Sequence, residues 1–400
     1  MEPRSDSVLS VDISVRPEWT AVSKSELHDL NLAPLRDTPS ATPRSSPAAP
    51  RPATSAPRAT GRAAKWIVHL RLMGKQLQHY VPQFYLEGFQ DPENPNCVWV
   101  YEKGVAEPRL QPIPVTAAEL DFYSPNPLPP GQAKDTIERE VLARIESNAA
   151  YIIKRWRAEG RYGVREEIEE ERMVLFIASL HARSPMFRRD VSELMKVHAT
   201  EESLAGADDD LFLDAYTKSS PDHGMSREEM RVALRSVNEP GGISLVPTEN
   251  FVLGMTFMMM LESLPWFIGR QWSFLKAPEG AEFVTSDSPL NVFTLTPEGN
   301  AIVNVGVGLQ ESELTLPISP HVALRMTNER APAIRRVSTR VARDANRRCA
   351  YQAERYVYSS RRSRRLMDLV NSFSFTRKSP RFDPSLIGGM IRRRRFGRRT

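Results

Sequence analysis

The sequence predicts an α+β fold in which a helical first half is followed by a mostly antiparallel sheet. Between Ile137 and Trp156, apolar residues recur at steps of three and four, which is the period of one helix face. After Pro265, short apolar runs alternate with turn residues, as in an antiparallel meander. We therefore expect a single domain from about Met73 to about Ser360, flanked by disordered tails.

Each element can be placed from its local pattern. The first half is predicted to contain strands at 97–101 and near 120–123, and helices at 137 to about 160, 166–182 and 186–198. A loose insertion at about 200–250, with a small helix at 227–235, precedes a buried helix at 251–264. The second half is predicted to contain strands at 266–275, 282–285, 290–295, 302–307, 314–318 and 322–326, a helix at 334–355 and a closing strand at 356–359.

The N-terminal residues 1–72 are predicted to be a disordered extension. Residues 34–62 consist almost wholly of Pro, Ala, Ser, Thr and Arg, and Leu35 is their only large apolar side chain. Such a segment cannot bury enough surface to offset its chain entropy. Met73 is a candidate true start, since translated GC-rich upstream DNA has the same composition; a genuine tail is the alternative.

The positive charge of the chain lies outside the predicted domain. Residues 1–72 carry a local charge of +3 and residues 377–400 one of +8, so the total of +5 leaves about −6 for residues 73–376. Residues 361–400 are predicted to be a basic tail, whose arginine run includes Arg392, Arg393, Arg394 and Arg395. This run could contact nucleic acid or an acidic partner, or it could be a solvated extension.

Several functional classes are excluded by what the sequence lacks. Cys97 and Cys349 are the only cysteines, too few for a disulfide framework or a cysteine-based zinc site, and they fit a cytoplasmic protein. The longest uncharged apolar run, Phe251–Leu261, falls short of the roughly 20 residues of a membrane span. The chain has no GxxxxGK[ST], GxGxxG, HExxH, CxxC or GxSxG motif, and no lysine follows an acidic residue by two positions. Neither a cofactor nor an oligomeric state is indicated.

Four polar residues are candidates for a catalytic site. His79 could be a general base or a metal ligand, or a structural imidazole among aromatic neighbours. Asp287 follows an apolar strand, where it could be catalytic or could stabilise a tight turn. Asn346 is predicted to lie within a helix, where asparagine either faces solvent or has a specific role.

Arg183, together with Arg188, is predicted to lie where a helix breaks at Pro185. Two arginines at such a break could bind a carboxylate or a phosphate. Alternatively, they could pair with the acidic run Glu166–Glu171 or cap helix carbonyls. The sequence leaves both interpretations open.

Several motifs resemble one known family. In chain order they are His79-Tyr80-Val81-Pro82-Gln83-Phe84-Tyr85-Leu86, Arg183-Ser184-Pro185 with Arg188, Thr285-Ser286-Asp287-Ser288-Pro289, Leu316-Pro317-Ile318-Ser319-Pro320, and Asn346 ahead of Tyr356-Val357-Tyr358-Ser359. Together they resemble the bacterial domain-of-unknown-function family 4238, which usually has Asn where this chain has Ser288. The resemblance implies an outline from about Met73 to Ser360 and a set of polar positions, but no activity.

Two functional hypotheses remain. The first is an enzyme, of hydrolytic type or acting on a phosphate-containing or nucleic-acid substrate, whose pocket contains the four candidate residues, Asn346 among them. In this pocket His79 is base or ligand, Asp287 its orienter or a second ligand, and Arg183 an anion clamp. The second is a non-enzymatic binding or effector module whose arginine-rich tail contacts nucleic acid or an acidic partner.

Overall fold

The computed structural model of the chain describes residues 76–125, 133–219, 226–237, 239, 245–303, 305–330 and 332–374. The predicted N-terminal extension, Met73 and the arginine run Arg392–Arg395 lie outside the described residues. The helices are α1 (Gln83–Leu86), α2 (Ala143–Glu159), α3 (Glu167–Ala182), α4 (Pro185–Gly206), α5 (Asp210–Ser219), α6 (Arg227–Arg235), α7 (Glu249–Phe267), α8 (Thr339–Gln352) and α9 (Arg364–Asn371). The strands are β1 (Leu77–His79), β2 (Cys97–Glu102), β3 (Arg109–Pro112), β4 (Ala118–Leu120), β5 (Gln271–Lys276), β6 (Thr285–Ser286), β7 (Asn291–Leu295), β8 (Ala301–Val303), β9 (Glu313–Ser319), β10 (Val322–Thr327), β11 (Ile334–Arg336) and β12 (Tyr356–Ser359).

These elements form two compact units. The described part of the larger unit comprises residues between 76 and 186 and between 260 and 374, and that of the smaller one lies between 187 and 259. Helices and mostly antiparallel sheets therefore occur in one chain, and the predicted α+β class is confirmed. Of the helices in the described part, none combines the length and apolar composition needed to span a membrane.

The described residues of the larger unit form three sheets. The strand order is β11-β5-β10-β9-β7-β8 in the first, β3-β2-β12-β6 in the second and β1-β4 in the third. The pairing is antiparallel throughout, apart from that between β11 and β5. In the second sheet, Val357 on β12 is opposite both Tyr101 on β2 and Ser286 on β6. This places the closing strand of the chain beside the Thr-Ser-Asp-Ser-Pro motif.

Local sequence explains where the two long helices of this unit begin and end. A π-helical turn, Ile137–Leu142, leads into α2. Gly160 caps the end of α2 in the left-handed conformation (φ 63°), which glycine adopts without strain. Helix α3 has acidic side chains in its first turn, where they interact favourably with the helix dipole. The predicted helices 137–160 and 166–182 agree with these bounds.

The smaller unit is more helical than the sequence indicates. Beyond the predicted helix at 227–235, which appears as α6, the region contains the end of α4 and all of α5. Ser226 and Glu229 form a reciprocal capping box at the start of α6. Buried Leu213 and Met230 belong to a small apolar cluster, so this part of the predicted loose insertion has a core of its own.

Two differences concern the end of the larger unit. The helix expected from Ile334 begins only at Thr339, where Ser338 caps it, because Ile334–Arg336 pairs in parallel with β5 as strand β11. The segment assigned to the basic tail also contains helix α9. Its residues Leu366 and Val370 are buried with Tyr101 in one apolar cluster, so the folded unit extends beyond Ser360.

Candidate functional site

Much of the motif set forms a buried scaffold centred on Tyr85. The Tyr85 hydroxyl donates a hydrogen bond to the carbonyl oxygen of Pro317 at 2.5 Å and lies 3.0 Å from the Thr285 hydroxyl. Three motifs that are distant in sequence therefore meet at one side chain. Burial raises the pKa of Tyr85 well above its ordinary value, so the hydroxyl remains a donor.

Arg157 extends this scaffold to helix α2. Its guanidinium donates to the carbonyl oxygens of Phe84 (2.9 Å), Tyr85 (3.0 Å) and Ile318 (2.8 Å). These bonds join α1, α2 and β9. Burial lowers the pKa of Arg157 to about 10, which still leaves it charged at neutral pH.

Asp287 has a structural role in the completely buried turn after β6. Its carboxylate accepts hydrogen bonds from the main-chain amides of Glu354 (2.8 Å), Arg355 (2.6 Å) and Tyr356 (2.8 Å). Burial raises its pKa to about 6, against the effect of these three amides. No interaction within the described residues links Asp287 to His79 or to Arg183. The described interactions do not connect the three residues directly, and both their joint site and a catalytic role for Asp287 stay predictions.

Asn346 is likewise bonded to the main chain. Its amide nitrogen donates to the carbonyl oxygen of Glu282 at 2.7 Å, and its amide oxygen accepts from the Val284 amide at 3.0 Å. The side chain thus fixes helix α8 to the segment that precedes β6. These bonds give Asn346 the specific role that its mid-helix position indicates.

His79 and Arg183, by contrast, lie within electrostatic reach of each other. The Nε2 atom of half-buried His79 is 3.2 Å from the carbonyl oxygen of Pro114. A hydrogen bond to a carbonyl requires the proton on Nε2, which leaves the lone pair of the neutral imidazole on Nδ1. Burial lowers the pKa of His79, Arg183 lowers it further, and the Pro114 carbonyl and Glu146 oppose the change. The neutral form is therefore favoured.

Two carboxylates complete this cluster. Glu146 on α2 accepts a hydrogen bond from Nη1 of Arg183 at 2.5 Å. Glu138, in the π-helical turn, interacts with the main-chain amide of His79, and burial, together with nearby Glu146, raises its pKa. Single π-helical turns occur often at functional sites. We call His79, Glu138, Glu146 and Arg183 the His79 cluster.

Arg183 is the most unusual member of the His79 cluster. Its side chain is only 1% exposed, yet Nε and Nη2 have no hydrogen-bond partner among the described residues. It pairs with Glu146 and not with the acidic run Glu166–Glu171, so for Arg183 a pairing with that run is wrong. Buried guanidinium N–H groups without an acceptor are rare, and they are suited to binding an anion.

The remaining predicted residues fall elsewhere. Arg188 lies on α4, in the smaller unit, and is half-buried. Arg392, Arg393, Arg394 and Arg395 lie outside the described residues. Within the described ranges, no three His, Cys, Asp or Glu side chains are grouped to hold a metal ion.

Sequence reasoning missed Glu138 and Glu146, although both lie in a helix that it predicted. The apolar period of that helix identifies the residues of its buried face, but it does not distinguish one polar position from another. Glu146 lies directly after Ile145, at the border of the buried face, and this position was the only available signal.

Fold and cluster together define an α+β protein in which a histidine, two carboxylates and a buried arginine converge from β1, the π-helical turn, α2 and the end of α3. The family described as "Protein of unknown function (DUF4238)" matches residues 77–363, and the chain belongs to it. The match includes every residue of the His79 cluster. Neither a curated protein nor a solved structure matches the chain.

Proposed function

We propose that the chain is an enzyme of hydrolytic type that acts on a phosphate-containing substrate at the His79 cluster. The observation that carries this proposal is that the buried Arg183 guanidinium, beside the His79 imidazole, has no acceptor for its Nε and Nη2 among the residues that the structure describes. An unsatisfied buried donor costs about 1–3 kcal/mol, and more when it is charged. A phosphate oxygen would supply the missing acceptors.

The cluster offers a base and an acid for such a reaction. His79 accepts a proton from water at Nδ1, and the water oxygen then attacks phosphorus. Arg183 donates hydrogen bonds to the non-bridging oxygens, on which negative charge accumulates. Glu138, whose raised pKa favours the protonated form, transfers its proton to the leaving oxygen as the bond from phosphorus to that oxygen breaks. Glu146 positions Arg183.

The second candidate is a non-enzymatic binding or effector module. It is favoured by Asp287 and Asn346, since the side chains of both residues form hydrogen bonds with main-chain groups. In this case the arginine-rich tail would contact nucleic acid or an acidic partner. For both candidates we propose a bacterial protein in the cytoplasm, where the free thiols of Cys97 and Cys349 would remain reduced.

Hydrolysis assays with the full chain distinguish the candidates. The substrates are p-nitrophenyl phosphate, bis(p-nitrophenyl) phosphate and a labelled single-stranded oligonucleotide. His79→Gln is expected to lower turnover by about 10²–10⁴-fold, because a general base contributes that much. His198→Gln is the matched control, since His198 is also half-buried but lies on α4.

Thermal unfolding shows whether each variant folds. If a folded His79→Gln variant keeps wild-type turnover, His79 is not the base and the proposed mechanism is wrong. If the wild-type chain turns over none of the three substrates, the binding module becomes the better explanation.

A further inference from the structure

A large groove lies in the larger unit, between the end of β5, helix α8 and the segment that joins β12 to α9. Its volume is about 920 Å³, near the upper end of the range for small-molecule sites. Asn346 lies in its wall, and the residues of the His79 cluster do not line it. The groove is therefore distinct from the proposed catalytic site.

The lining of the groove is strongly basic. Six cationic side chains line it, against three acidic ones: Lys276, Arg343, Arg347, Arg361, Arg362 and Arg365 against Glu279, Glu282 and Asp344. The excess is notable because residues 73–376 carry a net charge of about −6. Positive charge is thus concentrated on one surface of an acidic body, which creates a local attractive field for polyanions.

Several of these cations are available to a ligand. Arg343 and Arg347 lie one turn apart on α8, are exposed, and form no ion pair with another described residue. Arg365 on α9 is exposed and equally unpaired within the described ranges. Arg361 is paired with Glu282 at 3.3 Å but is still 67% exposed, so water already competes for that contact.

We propose that this groove binds the sugar-phosphate backbone of a single-stranded nucleic acid without sequence preference. Its cations come from three separate segments, so they can contact several phosphates of one strand and not just a single phosphate group. Five of the six are arginines, which bind phosphate oxygens bidentately. Tyr162 also lies in the groove wall, where its ring contacts Lys276 and Phe274. This inference does not depend on the chemistry proposed at His79.

Binding is tested with the full chain by fluorescence anisotropy of a labelled 20-nucleotide single-stranded DNA of mixed sequence, over a series of salt concentrations. The groove variant is Arg343→Glu/Arg347→Glu. The control variant Arg144→Glu/Lys154→Glu makes the same charge change at solvent-exposed positions of α2 that do not line the groove. Both are also made in a chain carrying Arg392–Arg395→Ala, so that the contribution of the tail is measured separately.

The groove variant is expected to bind at least about tenfold more weakly than the control variant, in both backgrounds. The slope of log K against log salt should become shallower by about 1.4, since two phosphate contacts are lost. Equal weakening in both variants would mean that only the overall charge matters, and the proposal would be wrong. It would also be overturned if ATP or poly-glutamate displaced the oligonucleotide at equal concentrations of charge, because the site would then suit a small phosphate or an acidic protein.

Discussion

Arg183 donates one hydrogen bond from Nη1 to Glu146 at 2.5 Å, whereas its Nε and Nη2 atoms are buried without a partner among the described residues. The pair is asymmetric in exposure as well, because the Glu146 side chain is 27% exposed and that of Arg183 only 1%. Solvent therefore reaches the carboxylate of the pair, whereas the two unpartnered nitrogen atoms of Arg183 are buried.

The first prediction concerns Glu146→Ala. Removal of the carboxylate leaves the Arg183 charge buried without its counter-ion, and we expect a loss of roughly 1–3 kcal/mol in the free energy of unfolding. Inorganic phosphate should then stabilise the variant more than the wild-type protein, because it replaces the lost anion. Urea unfolding with and without millimolar phosphate measures both effects.

Glu159→Ala serves as the control for Glu146→Ala. Glu159 forms a surface ion pair with Arg165 at 2.8 Å, and its loss should cost no more than about 1 kcal/mol and leave the response to phosphate as it is in the wild-type protein. Similar phosphate responses in the two variants would show that phosphate does not replace the Glu146 carboxylate at Arg183.

The second prediction is the pH dependence of hydrolysis. The reaction needs neutral His79 and protonated Glu138, and burial shifts the pKa of His79 below 6.5 and that of Glu138 above 4.5. We therefore expect a bell-shaped dependence of kcat/KM on pH, whose ascending limb has its midpoint below pH 6.5. Glu138→Gln should lower the rate and abolish the descending limb, because this limb reports the deprotonation of Glu138 and glutamine has no proton to lose in this pH range. A descending limb that persists in this variant would assign the acid to another group.

The elements that could be predicted are those whose own residues determine them. The periodic helices α2 and α3 and the aromatic strand β2 agree with the sequence pattern because burial of one face dictates their spacing. The sequence pattern does not predict strand β11, because the strand conformation of this segment depends on pairing with β5, which lies about 60 residues earlier in the chain.

The same distinction applies to the polar residues. Asp287 and Asn346 were recognised as unusual, but their partners are main-chain amides and carbonyls, which have no sequence signature. His79 and Arg183 were singled out by residue type, whereas the contact of Arg183 with Glu146 crosses 37 positions of the chain and becomes visible only in the fold.

The third prediction concerns Asn346→Asp. The substitution places a carboxylate oxygen against the Glu282 carbonyl, where the wild-type amide donates at 2.7 Å, so we expect a loss of about 1–3 kcal/mol at pH 7. The repulsion raises the folded-state pKa of the new carboxyl. The loss is therefore present above that pKa and is recovered as the pH falls towards the unfolded-state value of about 3.9.

Urea unfolding at pH 7 and pH 4 measures this recovery as a difference from wild type at each pH. The wild-type reference is needed because Asp287 makes its own pH-dependent contribution to the free energy of unfolding. Its pKa is raised to about 6, so this contribution stabilises the protein at low pH and is lost as the pH rises through about 6. Asn328→Asp is the matched control, since exposed Asn328 donates to the Gln310 carbonyl at 2.8 Å. A loss at Asn346 that does not depend on pH would contradict the proposed bond.

The last prediction concerns Gly88, in the turn after α1. A Cβ atom at this position would lie 2.8 Å from Nε of Arg157 and closer still to Cζ and Nη2, so Gly88→Ala must displace the guanidinium from its three carbonyl acceptors. We expect a loss of about 1–3 kcal/mol in the free energy of unfolding, whereas Gly254→Ala, in helix α7 with open space around the new methyl group, should be neutral or stabilising. A double-mutant cycle with Arg157→Ala isolates the contact between the two residues. In the Arg157→Ala background, Gly88→Ala should cause almost no loss in the free energy of unfolding. An unchanged loss would mean that the backbone of the turn, and not Arg157, requires the glycine.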